Sequence, residues 1–389
     1  MIDLLAIPAL LSLALTLWQS LVARRFPLHQ RQENPRFHPA LTLLKPLKGC
    51  DAETERCLRS WLTQEYPGPV QILFGVARAE DPVCDLVRRL LAEFPGCEAQ
   101  LVICTESLGT NAKVSTLIQL EQRARHDFIV VSDADVCVPA DFLNQIIRAL
   151  EEPAVGLVNC FYQLANPNTL ALRWEAVAMN ADFWSQVLQS RSLSPLKFAL
   201  GAVMATRRKE LAGIGGFTAL VDCLADDYQL GHRIAKNGGR IELSPVVVEC
   251  WSAPLSWRQV WQHQLRWART IRVCQPLPYF FSILSNATLW PLVWLLAGLA
   301  TGLTGAALQD RLTAVLFCLL VRVGTAFILQ WRLTRKLPGL ASLGLTLVKD
   351  LLQVLIWFLA FAGNHIEWRG EHYRLQSDGT LKKIIRSGV

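Results

Sequence analysis

A run of about 20 residues almost free of charge, Ile2 to Val22, opens the chain and limits what it can become. Asp3 is its single charge. As a helix it is long enough to cross the roughly 30 Å hydrocarbon layer. A cleaved signal peptide carries its basic residues ahead of a shorter apolar stretch, whereas here Arg24, Arg25 and Arg31 follow the run. By the positive-inside tendency these arginines put the following domain in the cytosol and the N-terminus outside. Two more stretches, Leu289–Leu308 and Leu312–Trp331, have the length and apolarity of a spanning hairpin. Arg322, inside the second, is expected to face another helix or water. The basic residues Arg332, Arg335 and Lys336 then return the chain to the cytosolic side. Gly339–Gly363 is interrupted by Lys349 and Asp350, so it is either a third C-terminal span or a re-entrant or interfacial helix. The 52% hydrophobic content of the 389 residues is thus concentrated at the two ends, which excludes an ordinary soluble enzyme.

Between the ends the pattern changes. From Pro39 to about Gly216 short β-rich runs alternate with amphipathic helical ones, which predicts a mostly parallel sheet covered by helices. Leu41–Leu44, Val70–Val76, Leu101–Cys104 and Phe128–Ser132 are the expected buried strands. Val83, Leu86, Val87, Leu90, Leu91 and Phe94 recur at helical spacing, as do Phe142, Ile146, Ile147 and Leu150. This divides the chain into an anchor (1–23), a linker (24–38), an α/β domain (39–275) and a membrane-associated remainder (276–389). None of the 11 cysteines forms a Cys-x-x-Cys pair, which argues against structural zinc and a disulfide framework. The net charge of +7 comes from scattered basic residues beside the apolar segments, so anionic headgroups and diphosphates are the expected partners and nucleic acid is not.

Open parallel sheets bind ligands beyond the carboxyl ends of their strands, which selects three candidates. Lys45-Pro46-Leu47-Lys48-Gly49 follows the first strand, Asp81 the second, and Asp133-Ala-Asp135 the strand Phe128–Ser132. An isolated Asp-x-Asp is commonly a turn, but after a buried strand its two carboxylates suit Mg²⁺ or Mn²⁺ and leave coordination positions for phosphate oxygens. Asp81 is also placed to cap the helix starting at Pro82-Val83, a role compatible with ligand binding. Farther on, Leu224-Ala-Asp226-Asp227-Tyr228 precedes a short helical run. Adjacent acids serve as solvated caps, yet transfer to a hydroxyl acceptor requires a proton-accepting carboxylate, and this pair is the best placed. The segment Trp257–Ile271 carries Arg266 and Arg269 on one helical face and Trp257, Val260 and Trp261 on another, the pattern of an interfacial helix.

Taken in order, Asp81, Asp133–Asp135, Ala-Asp-Asp227-Tyr and Arg266-Trp267 resemble the motifs of the ceramide glucosyltransferases, glycosyltransferase family 21. The likeness extends to Asn111-Ala-Lys113-Val114 and to the tail Trp368-Arg369-Gly370, Tyr373-Arg374-Leu375 and Gly379-Thr380. The resemblance implies a GT-A (Rossmann-like) domain with one N-terminal and two or three C-terminal membrane helices, UDP-glucose as donor, a lipid acceptor, a Mn²⁺ or Mg²⁺ cofactor, and inversion at the anomeric carbon. It assigns Pro46, Asp81, Lys113 and Asp133 to the nucleotide sugar and Asp133 and Asp135 to the metal. Asp227 becomes the base, with Arg266 and Trp267 beside the departing diphosphate and the acceptor. The chain departs from the family pattern at His263, where the motif has Gln or Arg, and at Ala181–Gln186, where the animal enzymes carry a histidine. Hopanoid-associated glycosyltransferases share the Ala-Asp-Asp-Tyr segment and are the second reading. Processive polysaccharide synthases share the Asp motifs but have more membrane helices. A non-catalytic membrane-bound sugar-nucleotide binder needs no base at Asp227.

Overall fold

The computed structural model describes residues 4–31, 36–368 and 371–384. Ile2 and Asp3, residues 32–35 of the linker, and Arg369-Gly370 of the tail motif lie outside the described residues. The chain divides into two units. One comprises Pro27–Asn166, Ser194–Ala253 and Gly370–Val389, the other Met1–Phe26, Pro167–Leu193 and Pro254–Arg369.

The first unit is built on eight strands: β1 (Leu41–Leu47), β2 (Val70–Val76), β3 (Glu98–Ile103), β4 (Phe128–Ser132), β5 (Val136–Cys137), β6 (Val155–Leu164), β7 (Val203–Arg207) and β8 (Arg240–Cys250). They lie in the order β3-β2-β1-β4-β7-β6-β8-β5. β3, β2, β1 and β4 are parallel. β7 runs antiparallel to both β4 and β6, while β8 is parallel to β6. The sheet is therefore mixed beyond β4, because alternating apolar patterns specify faces and not direction. Every residue of β1 is buried, as a central strand covered on both faces requires. Trp61 and Phe142 meet edge to face at 5.6 Å within a core that also contains Leu41, Leu43, Phe74, Val130 and Val203. Since β1, β2 and β4 point the same way, their carboxyl ends share one rim. β1 runs to Leu47, so Lys45 and Pro46 lie in the strand and not in the loop expected after Leu44. β10 (Glu371–Leu375) and β11 (Leu381–Lys383) form an antiparallel hairpin in this unit, and β9 (His365–Trp368) precedes them in the other.

The second unit is helical. Ala6–Arg25, Gly305–Thr334 and Leu340–Phe361 are each long and apolar enough to cross a membrane. The buried face of Ala6–Arg25 is small and polar, with Ala9, Ser12, Thr16, Gln19 and Ala23, while Leu10, Leu17 and Leu21 are exposed. That inversion of the soluble pattern suits a helix whose outer face meets lipid. The expected span Leu289–Leu308 does not form as one helix. It stops at Ala300, the chain turns through Gly302 and Gly305 at φ +76° and +61°, and Leu289–Ala300 is instead bent by 55° against Pro276–Ser285. Gly339–Gly363, left open between a span and an interfacial helix, is one helix over Leu340–Phe361.

The charges that interrupt these helices are gathered together. Arg322 grips Asp350 with two hydrogen bonds of 2.7 and 2.8 Å and reaches Asp182 at 2.9 Å. Lys349 pairs with Asp182 and lies 3.0 Å from Asp350, which also accepts from the Thr288 hydroxyl at 2.6 Å. Two cations and two carboxylates form a neutral buried set, which is how ionisable groups persist among apolar helices. Asp182 stands on a π-helical segment, Ala178–Phe183.

Candidate active site

On the rim shared by β1, β2 and β4, two side chains tie strand ends together. Lys45, wholly buried in β1, donates to the Ser132 hydroxyl at 3.2 Å and the Asp133 carbonyl at 2.5 Å, with its ammonium 5.3 Å from the centre of the Trp61 ring. Burial lowers its pKa to about 8, although Asp135 and Asp133 favour its charge. Asp81, after β2, accepts from the Gly49 amide at 2.9 and 3.1 Å and from the Val83 amide at 3.1 Å. Pro82 takes the N-cap position of the helix Val83–Glu93, so the Asp81 side chain joins two loops besides bonding a first-turn amide. Pro46 lies past the last β1–β4 pair, Leu44 with Val131, where one ladder has already ended and a missing N–H costs least.

The helix Ala112–Glu121 contributes Lys113. Its N-cap, Asn111, accepts from the amides of Lys113 and Val114 at 3.0 and 3.2 Å. Lys113 is buried, its ammonium 2.7 Å from Asp133 and 3.0 Å from Asp226. Burial disfavours its charge, but Asp133 and then Asp226 outweigh this and raise its pKa. The fold thus assembles Lys113, Asp133 and Asp226 from three distant segments.

Asp227 lies in the first turn of the helix Asp226–Lys236, beside this pair, and accepts from the Tyr228 amide at 2.7 Å. Desolvation, reinforced by the neighbouring Asp226 carboxylate and opposed by Lys113, raises its pKa to about 6. Asp226 is committed to its ion pair with Lys113, which leaves Asp227 as the acid with a raised affinity for a proton. Gly201 lets this carboxylate sit where it does, since a Cβ there would lie 2.6 Å from Asp227 Oδ2.

Asp133 is half-buried and Asp135 exposed. The backbone of both is fixed, the Asp133 amide donating to Ala202 O at 3.1 Å and the Asp135 carbonyl accepting from the Trp251 amide at 2.9 Å. Among the described residues no group of three or more His, Cys, Asp or Glu side chains is placed to hold an ion. Carboxylate oxygens are the ligand type that hard divalent cations take, and here the Asp133 carboxylate is paired with Lys113 at 2.7 Å.

Arg266 and Trp267 belong to the helical unit, on the helix Trp257–Cys274, which a Ser256–Gln259 capping box initiates. The Arg266 guanidinium is 5.8 Å from the Trp368 ring, and Trp267 meets the His263 ring at 4.6 Å. His263 Nδ1 lies 2.6 Å from the buried Glu175 carboxylate, which also accepts from Gln264 at 2.9 Å. Arg269 and Arg272 bond His365 O and Asn364, so this face is not the solvated one expected of an interfacial helix. Nothing in the sequence pairs Glu175 with position 263, because the two lie 88 residues apart.

The family model described as glycosyl transferase family 21 matches residues 3–381. The chain belongs to glycosyltransferase family 21. Curated relatives include a ceramide glucosyltransferase of Candida albicans, 29% identical over 130 residues, which are 30% of this chain and 24% of the relative. Ceramide glucosyltransferase 1 of Caenorhabditis elegans is 21% identical over 56% of this chain and 47% of its own length. The chain therefore spans about a quarter to a half of these relatives. A mannosyltransferase from Pyrobaculum calidifontis, solved in complex with GDP-Man and Mn²⁺, superposes with a TM-score of 0.54 at 22% identity, covering 90% of this chain and 99% of that one. This likeness shows the fold, a GT-A-like mixed sheet. Among the described residues this family 21 chain has three helices that are each long and apolar enough to cross a membrane, besides the bent pair Pro276–Ser285 and Leu289–Ala300.

Proposed function

We propose that this glycosyltransferase transfers glucose from UDP-glucose, with inversion, to the primary hydroxyl of ceramide or a similar lipid at the cytosolic face of a membrane. The observation that carries the reading is Asp227, a carboxylate held near pKa 6 beside the Lys113–Asp226 pair at the carboxyl-end rim of the sheet. Such a group is ionised at neutral pH yet basic enough to take a proton.

The acceptor oxygen attacks the anomeric carbon from the face opposite UDP while Asp227 takes the hydroxyl proton. The bond from the anomeric carbon to the diphosphate oxygen breaks, and its electron pair leaves with UDP. Asp133 and Asp135 would hold Mn²⁺ or Mg²⁺, which when bound offsets the charge of the leaving diphosphate. Lys113 orients Asp133 and anchors Asp226 beside the base. Pro46 and Asp81 border the nucleotide, and Arg266 and Trp267 serve the diphosphate and the acceptor, roles that rest on the resemblance. The cytosolic orientation rests on Arg24, Arg25 and Arg31.

The test is mass spectrometry of lipids formed by the purified enzyme from a panel of UDP-sugars, with ceramide and hopanoid acceptors in parallel. Glucosylceramide is the expected product, formed with Mn²⁺ or Mg²⁺ and lost on chelation. Sugar transfer only to hopanoids selects the second reading, UDP-glucose binding without transfer to any lipid selects the binder, and full activity in excess chelator removes the metal.

A further inference from the structure

The tail residues Gly379-Thr380 belong to the family resemblance, yet no step above uses them. Their surroundings give them one. The turn between β10 and β11 is held internally, with Gln376 N–H to Thr380 O at 2.9 Å and both the amide and the hydroxyl of Thr380 donating to Asp378, at 2.9 and 2.7 Å. Gly379 adopts φ +85°, a conformation that favours glycine. This preformed turn lies along the segment that leads into Asp226 and Asp227. Leu224 N–H donates to Gly379 O at 3.1 Å, Leu381 N–H donates to Asp222 O at 2.7 Å, and Cys223 and Thr380 face each other as an antiparallel bridge. Leu375, Leu381, Cys223 and Leu224 are all buried.

A second clamp grips the same residues. Asp222 accepts from the amide and the hydroxyl of Thr110 at 2.9 and 2.8 Å, and Asn111 donates through its side chain to Cys223 O at 2.8 Å and through its amide to Val221 O at 2.8 Å. Asn111 is also the N-cap that places Lys113. Residues 221–224 are therefore sandwiched between the lysine-bearing helix start and the C-terminal turn. A carboxylate that must approach a hydroxyl within hydrogen-bond reach is sensitive to displacements of about 1 Å.

We propose that the C-terminal turn Gly379–Leu381 is a positioning element for the catalytic loop, clamping Asp222–Leu224 from one side while Thr110-Asn111 clamps it from the other, so that Asp226 and Asp227 are set against Lys113. The proposal rests on the reading of Asp227 as the base. It requires the tail to act on transfer and not on donor affinity.

Two full-chain variants test this. Gly379→Val strains the turn, and kcat should fall about tenfold or more, with donor KM within about twofold and thermal stability near that of the parent. Thr380→Cys places a second thiol opposite Cys223 and offers a reversible lock, with its reduced form as the reference. Oxidation to a disulfide between Cys223 and the introduced thiol, mapped by peptide mass spectrometry, should preserve kcat, and in the Gly379→Val background should restore part of it. Unchanged kcat in Gly379→Val overturns the proposal, as does a loss that only follows the folded fraction or appears equally in donor binding. Loss of activity on cross-linking also overturns it, since the loop would then have to leave the turn during the cycle. Asp227→Asn separates the two readings. If that variant keeps its turnover the base assignment fails, while a kcat-specific loss in Gly379→Val still supports positioning by the tail.

Discussion

Asp226 and Asp227 are adjacent and identical in the sequence, yet their surroundings divide their work. The ion pair to Lys113 holds Asp226, whereas Asp227 carries the raised pKa of about 6. On the proposed reading of Asp227 as the base, Asp227→Asn should lower transfer roughly 10²–10⁴-fold while leaving donor affinity near normal. Asp135→Ala should weaken donor binding and turnover together. Equal loss of donor binding in both variants would assign Asp227 to the nucleotide shell. The low-pH limb of kcat/KM should bend near pH 6, and in Asp227→Asn that bend should vanish. The stability sign runs the other way. The folded pKa lies above the usual 3.8, so the folded state binds the proton more tightly, and Asp227 destabilises the fold as pH rises from about 4 through about 6. At neutral pH Asp227→Asn should therefore melt no lower than the parent, which a purely structural acid would not show. Gly201 supplies a prediction of the opposite kind. A methyl group there meets Asp227 Oδ2 at 2.6 Å, so Gly201→Ala should cost about tenfold or more in kcat with little change in melting temperature. Turnover equal to the parent would show that the carboxylate has room to spare.

At the scale of elements, the helices of the second unit depend on compensated charge. Arg322 binds Asp350 and Asp182 in a buried setting, so Arg322→Met leaves two buried carboxylates to share Lys349 and should cost about 3–5 kcal/mol, read as a fall in thermal stability in detergent. Adding Asp350→Leu should recover part of the loss by removing one of the two carboxylates. Equal stability in the parent and Arg322→Met would mean that the cluster contributes nothing. The bend between Pro276–Ser285 and Leu289–Ala300 follows a similar logic, since Asn286 accepts from the Thr288 and Leu289 amides at 3.2 and 2.9 Å and donates to Asp350 O at 2.8 Å. The break is hydrogen-bonded where apolar surroundings would otherwise penalise free amides.

For the whole molecule the accessible prediction is orientation. Among the described residues Cys50 is the one fully exposed thiol, the other ten being buried or half-buried. A membrane-impermeant maleimide should label it in inverted vesicles and not in intact cells under the proposed cytosolic orientation. Labelling of intact cells would reverse the assignment. The sequence by itself determined much of this molecule. β2 and β4 begin and end where their apolar runs do, the helices Ala6–Arg25 and Gly305–Thr334 are built around apolar runs legible in the sequence, and the rim acids Asp81 and Asp133 follow from their place after buried strands. Each is a local property, carried by periodicity or by a strand's end. Only the tertiary structure decided the direction of β7, the break after Ala300, the pairing of Glu175 with His263, the assembly of Lys113 with Asp133 and Asp226, and the docking of the tail on the loop before Asp227. These depend on contacts across tens to hundreds of residues, and a buried charge finds its partner through the packing of the whole chain, which no local pattern records.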